Sequence, residues 1–477
     1  MSSALTRRAV LRSSLFAAAA GLLAACQPQI VKETVIVEKE KEKVVKETVV
    51  VKETVVAQPA PKEVIKLQQV DYQGYEPNNT VLNELVEDFN AYHPEYKLTR
   101  IALDSTDKVI ARYAAGDQPE IHEDVQRDIL GLIDKGALLP VQDFVNGDQS
   151  FPKDWWPKVW ERYTHKGKVY CMPEDGQCTF FVVNQAMFEA AGLPIPAEDW
   201  TNDDVLQMGL KLTSDEKGRH PNEAGFDVNN IKVWGFWGYP WANLCAAFWL
   251  HYGAAITDPN DHTKVTVNSP QMLEALAWRC KTVLPPPNGP MQSSCDLEPA
   301  FFDNAVAMKN EGSWSLVALE NLTAKAGVRW VWRRFPAPKK ETERMTFMGD
   351  TGMFLPKTDE KRQKGAWTWI SWLFQPKQQA KWCLGTGFLP LQKGAFDYPT
   401  YQSALKEKPW WAASVEYMTH ADPDHWGWYG SAGVKNAFEE LTCNILAGKV
   451  LEKDLKAALG ELEPKCLKAI KDATPAS

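Results

Sequence analysis

The residues with chemistry to offer are carboxylates in adjacent pairs, Glu123-Asp124 and Glu174-Asp175, and an excess of tryptophan, 20 in 477 residues and none before Trp155. Two carboxyl groups, one protonated and one ionised, can hydrolyse a glycoside. Neighbours in sequence usually point apart, however, and neither pair has a context that would protonate one member and leave the other a nucleophile. A glycoside hydrolase is therefore the lesser reading, and no enzyme is expected. Indole faces stack on the C–H face of a pyranose while amides and carboxylates hold its hydroxyls. Most of the tryptophans are expected in the core, and several in a site for a ligand with apolar faces. None of the 9 cysteines has zinc-knuckle or Cys-x-x-Cys spacing, so no metal and no cofactor are expected. Cys280 and Cys295 bracket the proline-rich loop 285–290 and are the pair expected to form a disulfide.

The elements that must position these groups come from a chain too long for one core, so two domains with extensions are expected. The formal charge of −8 becomes −11 once Arg7, Arg8 and Arg12 are removed with a leader. No basic stripe remains, which argues against nucleic acid and against an electrostatic membrane patch. The leader reads Thr6-Arg-Arg-Ala-Val-Leu-Arg12, an apolar run from Leu15 to Ala25, and Cys26. The positive start carries a twin-arginine pair, and Leu23-Ala-Ala-Cys26 resembles the bacterial lipobox. Residues 1–25 are thus expected to be a signal peptide, with Cys26 lipidated and anchoring the mature protein to the membrane. Residues 26–65 repeat Val, Lys, Glu and Thr with cancelling charge and no aromatic residue, the composition of a spacer that builds no core.

The folded part opens with a strand over 64–70, a helix capped by Thr80 with apolar Val81, Leu82, Leu85, Val86 and Phe89, and a strand over 96–103. Helices over 108–115 and 128–135 flank Glu120-Ile-His-Glu-Asp-Val-Gln. Such alternation gives an α/β fold with mixed sheets, whose ligand crevice lies at the carboxyl ends of the strands. Residues 71–76 and 122–126 belong there. Later, the apolar run Thr179 to Val183 is a buried strand, with Asn184 capping a short helix that Gly192 stops.

An ordered series of motifs then carries a resemblance. Ala114-Ala-Gly-Asp-Gln-Pro-Glu-Ile, Lys135-Gly-Ala-Leu-Leu-Pro, Gly167-Lys-Val-Tyr-Cys-Met-Pro with Val183-Asn, and Phe188-Glu-Ala-Ala-Gly-Leu-Pro come first. Phe301-Phe-Asp-Asn-Ala-Val-Ala-Met with Gly312-Ser-Trp314, Phe335-Pro-Ala-Pro338, Gly365-Ala-Trp-Thr-Trp-Ile-Ser-Trp-Leu and Gly387-Phe-Leu-Pro390 follow. Together they resemble the family 1 extracellular solute-binding proteins, the maltose- and glycerol-phosphate-binding-like receptors of ABC importers, over residues 66–460. The resemblance implies a two-lobed periplasmic-binding-protein fold (type II), each lobe a mixed sheet flanked by helices, with a carbohydrate held in the cleft. It implies lobe 1 from 66–175 plus about 350–395 and lobe 2 from about 177–345 plus 398–477, crossed at about 175–180, 346–354 and 395–401. A monomer outside the cytoplasm, delivering its solute to ABC permease subunits, is the expected form. A polyol phosphate or peptide is the other solute considered, with Arg333-Arg334 as an anion-binding pair.

What the resemblance implies for the site falls on particular residues. Trp314 follows the glycine after which relatives place a sugar-stacking tryptophan. Trp241 and Asn243 precede the Gly253 turn at ligand-facing positions, Gln177 takes a crossing position that contacts ligand, and Trp428, with Trp426 beside it, matches a late aromatic platform. Glu123 and Asp124 follow a strand end, where they either grip hydroxyls or stand as solvated loop charges. The family's aromatic residue is missing from that loop, so Tyr72 or Tyr75 would substitute. Asp350 lies on the second crossing. Cys171 and Cys178 flank the first crossing and are expected to be free.

Overall fold

The computed structural model describes residues 63–103, 106–124, 130–155, 159–160, 164–258, 261–283, 295, 301–348, 351–418, 420–423 and 430–474, all within the compact unit Pro61–Ser477. The expected signal peptide, Cys26 and nearly all of the spacer lie outside the described residues.

Nine strands build the two sheets that matter for the site: β1 (Ile65–Asp71), β2 (Tyr96–Ala102), β3 (Ile121–Asp124), β4 (Leu138–Leu139), β5 (Cys171–Pro173), β6 (Thr179–Asn184), β7 (Met308–Gly312), β8 (Trp330–Arg333) and β9 (Gly352–Pro356). The first sheet runs β2-β1-β3-β9-β4, with β5 also on β9, and the second runs β7-β6-β8. β1 is parallel to β2 and β3, whereas β9 enters antiparallel to β3, β4 and β5. The chain therefore leaves the first sheet after Pro173, joins the second at Thr179, and returns to the first at Gly352.

Local chemistry accounts for these elements. β6 is aromatic and β-branched along its length and is buried throughout, as a strand flanked on both edges must be. Asn184 accepts from the Met187 amide and starts the helix Gln185–Ala190. The helix Asn78–Tyr92 begins two residues ahead of Thr80, which is not its cap. The Glu76 carboxylate instead accepts from the Thr80 amide and hydroxyl, doing from outside the helix what the threonine was expected to do. The helices Asn78–Tyr92 and Glu360–Leu373 cover the first sheet: Phe89 meets Trp369 and Trp372 edge-on, and Trp369 Nε1 donates to Gln69 Oε1 at 2.7 Å. In the second sheet Phe181 is ringed by Trp200, Phe236, Phe248 and Phe335, with centroids 5.0 to 6.1 Å away. Trp200, Trp237, Trp369, Trp382 and Trp411 are fully buried, as expected of core residues; among the described tryptophans Trp241 is the most exposed, at 46%. No helix among the described residues is long and apolar enough to cross a membrane.

The disulfide differs from expectation. Cys295 pairs with Cys443, 148 residues on, with Cα atoms 5.6 Å apart, and Cys280 stays free. The helix Ser431–Leu446 packs Val434, Phe438 and Leu441 into the second core, and that packing brings Cys443 to Cys295. Neither Cys171 nor Cys178 is in a disulfide, and both are buried. Cys443→Ser is expected to lower stability by about 3 kcal/mol, because the bridge closes a long loop in the unfolded chain. Urea midpoints should then coincide for the variant and the reduced wild type.

Candidate functional site

β7 reads Met-Lys-Asn-Glu-Gly, and strand alternation sends Lys309 and Glu311 to the same face. Both are buried. Lys309 Nζ lies 2.9 Å from Glu311 Oε1, 4.7 Å from the Tyr239 ring centroid and 5.4 Å from that of Trp237. The cation is thus neutralised by a carboxylate and faced by two π-systems. Glu311 also accepts from Ser315 Oγ at 2.8 Å. Trp241 stacks on Tyr239, centroids 4.6 Å apart and planes 18° from parallel, and turns its other face outward. The Trp314 indole lies across Gly312, where a Cβ would come within 2.2 Å of the ring. Asn243 is in the first turn of the helix Ala242–Leu250, and its side chain lies outside the described residues.

The crossing beside this wall is densely bonded. Gly176 exchanges two backbone hydrogen bonds with Leu389, at 2.7 and 2.8 Å. A Cβ at Gly176 would displace the ends of the Met418 and Leu391 side chains, so glycine lets the crossing pack closest here. Asp175 accepts from Thr351 Oγ1 at 2.9 Å, Trp382 Nε1 at 2.9 Å and Gln177 Nε2 at 3.2 Å. Burial is the largest influence on this carboxyl and its three donors oppose it, leaving the pKa pushed up to about 7. Gln177 is therefore held by Asp175. Its neighbour Cys178 exchanges hydrogen bonds with Ser313, which joins the crossing to the turn carrying Trp314.

On the first sheet, Glu123 and Asp124 are not solvated loop charges but buried strand residues. Alternation separates them. Asp124 lies 3.4 Å from His122 Nε2 on one face. Glu123 lies on the other, level with Met353 and Met172, and Gln73 donates to it at 2.9 Å. Asp71 shares that face and is gripped by Arg100 through Nε at 2.9 Å and Nη2 at 2.7 Å. Tyr75 covers this group, 46% exposed, its hydroxyl accepting from Asn78 at 2.9 Å. Burial, followed by the charges of Asp175, Glu123 and Glu174, holds its phenol well above the usual value. Tyr72 is half-buried. Asp350, Trp426, Trp428 and the loop 125–129 lie outside the described residues.

Trp241 stacks on Tyr239 and Trp314 follows Glu311 at the end of β7, Gln177 is held by Asp175 on the first crossing, Glu123 lies under Tyr75 on the first sheet, and Asp124 is on the opposite face of β3. Lys309, Glu311, Tyr239 and Arg100 escaped the sequence reading, while Gln73 lay in the stretch 71–76 expected at the site without being singled out. The one available signal was Lys-Asn-Glu at the end of an apolar strand. Arg333 and Arg334 do not form an anion site. Arg333 donates to Pro196 O at 2.7 Å and pairs with Glu198, while Arg334 pairs with Glu416 over the Tyr417 ring.

Two α/β sheets joined by repeated crossings of the chain, with aromatic and polar groups gathered at the crossings, define the class of two-lobed solute-binding proteins. This chain belongs to the bacterial extracellular solute-binding protein family, whose model matches residues 84–410, and as a member it acts outside the cytoplasm. It is 21% identical over 354 residues to the sn-glycerol-3-phosphate-binding periplasmic protein UgpB of Escherichia coli strain K12, a match covering 72% of this chain and 78% of that one. Among solved structures, the substrate-binding protein Lmo0181 of Listeria monocytogenes in complex with cycloalternan is similar at TM-score 0.70 and 21% identity, covering 86% of this chain and 100% of that one. The MalE domain of Bdellovibrio bacteriovorus bound to maltotriose is similar at TM-score 0.68 and 18% identity, with the same coverage of 86% and 100%. These likenesses carry the type II periplasmic-binding-protein fold.

Proposed function

We propose that this protein is the solute-capturing receptor of an ABC importer and that its solute is a carbohydrate. The observation that carries the reading is the outward face of the Trp241–Tyr239 stack, set beside carboxylate and amide groups whose cations, Lys309 and Arg100, are already paired. A flat apolar face with hydrogen-bonding groups around it matches a sugar ring; a phosphate would need an uncommitted cation or exposed amides. The relatives with cycloalternan and maltotriose support the same class. The similarity to UgpB favours a polyol phosphate as the second reading. We assign Trp314, Trp241, Asn243, Gln177, Glu123, Asp124, Tyr72, Tyr75, Asp350 and Trp428 as the candidate contacts, with Asp124 placed least directly.

The proposal extends to a monomer tethered through lipid on Cys26 and a spacer over 26–65, docking on permease subunits. Its lobes are 66–175 with about 350–395, and about 177–345 with 398–477. The carboxylates are read as holding the fold and the solute rather than hydrolysing it; turnover of glycosides by the purified protein would overturn that.

A thermal-shift panel of mono- and oligosaccharides against sn-glycerol 3-phosphate tests the solute class. A ligand at 100 times its Kd stabilises by about 2.7 kcal/mol. Stabilisation by the phosphate and by no sugar sinks the carbohydrate reading. Trp314→Ala is expected to weaken sugar binding at least about tenfold, about 1.4 kcal/mol, and unchanged affinity by calorimetry would remove Trp314 from the site.

A further inference from the structure

Beneath Tyr75 the first sheet holds more carboxyl groups than it has partners for. Register places Asp71 and Glu123 on the same face, with Met353 and Met172 alongside Glu123, and alternation carries Glu174 to that face two residues past Met172. Asp71 is neutralised by Arg100, and Asp175 has its three donors. Glu123 has the one bond from Gln73, and its Oε2 is buried and accepts nothing. Glu174 is fully buried with neither carboxyl oxygen hydrogen-bonded. The charged and titratable groups around it are Asp71 from β1, Arg100 from β2, Tyr75 from the turn after β1, Glu123 from β3, its neighbour Asp175, and Cys383 from the helix Pro376–Thr386. Among the described residues, the one guanidinium facing this group, that of Arg100, is already committed to Asp71.

A buried carboxylate without donors is costly, whereas a protonated carboxyl carries its own donor and no charge to desolvate. Two such groups in one enclosure cannot both ionise, and their titrations are joined. The backbone ties them to the crossings: the Glu174 amide donates to Thr351 O at 2.7 Å, so movement of one crossing against the other disturbs the pair.

We propose that Glu123 and Glu174 form a proton-binding site: the assembled crossing takes one proton from solvent, holds it between the two carboxyl groups, and returns it when the crossing comes apart. The inference stands on the crossing and does not depend on what solute is bound. Burial, then the neighbouring acids, raise both groups well above the ordinary carboxylate range. A raised folded-state pKa contributes stability at low pH that is lost as pH climbs through the raised value, so the folded form weakens toward alkaline pH.

The test is urea unfolding of the solute-free protein at several pH values from about 6 to 8, the range in which one proton held only by the folded state shifts the equilibrium about tenfold per pH unit. Wild type is expected to lose stability as pH rises. Glu174→Gln and Glu123→Gln should each flatten that slope by up to one proton and be the more stable proteins at the alkaline end. Equal slopes in all three proteins overturn the proposal. Should Glu174→Gln fail to fold, infrared spectra decide. Wild type near neutral pH should show a protonated-carboxyl band that Glu123→Gln shifts or weakens and that survives Asp175→Asn, and a spectrum in which Asp175→Asn removes all protonated-carboxyl absorption overturns the site.

Discussion

Asp175→Ala is expected to lower the free energy of unfolding by about 4 to 5 kcal/mol, because it abandons several buried donors at once and each costs about 1 to 3 kcal/mol when left unmet. Those donors come from three parts of the chain: Gln177 from the first crossing, Thr351 from the second, and Trp382 from the helix Pro376–Thr386. The carboxylate is therefore the point at which the two crossings and that helix are joined, next to the Gly176–Leu389 pairing. Asp175→Asn is expected to cost less, about 1 to 2 kcal/mol, since its amide oxygen still accepts from Trp382 or Thr351 while its NH2 replaces an acceptor with a donor. Urea unfolding of the two variants separates a hydrogen-bonding hub from a space-filling side chain. If Ala and Asn cost the same and both less than about 1 kcal/mol, the hub assignment fails. Freed from Asp175, Gln177 should also lose its set orientation, so any sugar contact it makes weakens in the alanine variant.

What the sequence disclosed follows the range of the interaction. β6 was legible from Thr179 to Val183 because a strand buried on both faces needs apolar residues at successive positions, and Asn184 could be recognised as a cap because capping is local. The buried fate of Trp200, Trp369 and Trp382 followed from the expectation that most indoles pack in the core. Thr80 misled because a cap can be supplied from outside the helix, here by Glu76. Cys443 was not read as the partner of Cys295 because their approach is set by helix packing across 148 residues. Glu123 and Asp124 read equally as a grip on hydroxyls or as solvated loop charges because charged residues seldom lie in a buried strand; alternation turns them apart, but which of the two shares a face with Asp71 is set by register, which cannot be read from one strand alone. Lys309 and Glu311 were missed for a related reason. Their meaning lies in the aromatic rings of a segment 70 residues earlier, which no spacing along the chain reveals.

Lys309→Met is expected to cost about 4 kcal/mol, because it leaves Glu311 buried without its cation, and breaking one side of a buried ion pair typically costs about 3 to 5 kcal/mol. Both side chains are nearly inaccessible, at 5% and 7% residue exposure, so solvent does little to screen the loss. The contacts of the ammonium with Tyr239 and Trp237 disappear as well. Lys309→Met with Glu311→Gln should recover much of the deficit, since the stranded charge is gone and the glutamine can still accept from Ser315, as Glu311 does at 2.8 Å. A double-mutant cycle by urea unfolding is expected to give a coupling of about 2 to 3 kcal/mol. A coupling near zero would mean that the 2.9 Å pair contributes nothing beyond its separate contacts. Solute affinity then distinguishes stability from function. Lys309 faces the ring on which Trp241 stacks, and Glu311 holds the turn that carries Trp314. The double variant should therefore fold well yet bind sugar more weakly than wild type, because the two platforms keep their residues and lose the charge pair that sets their spacing.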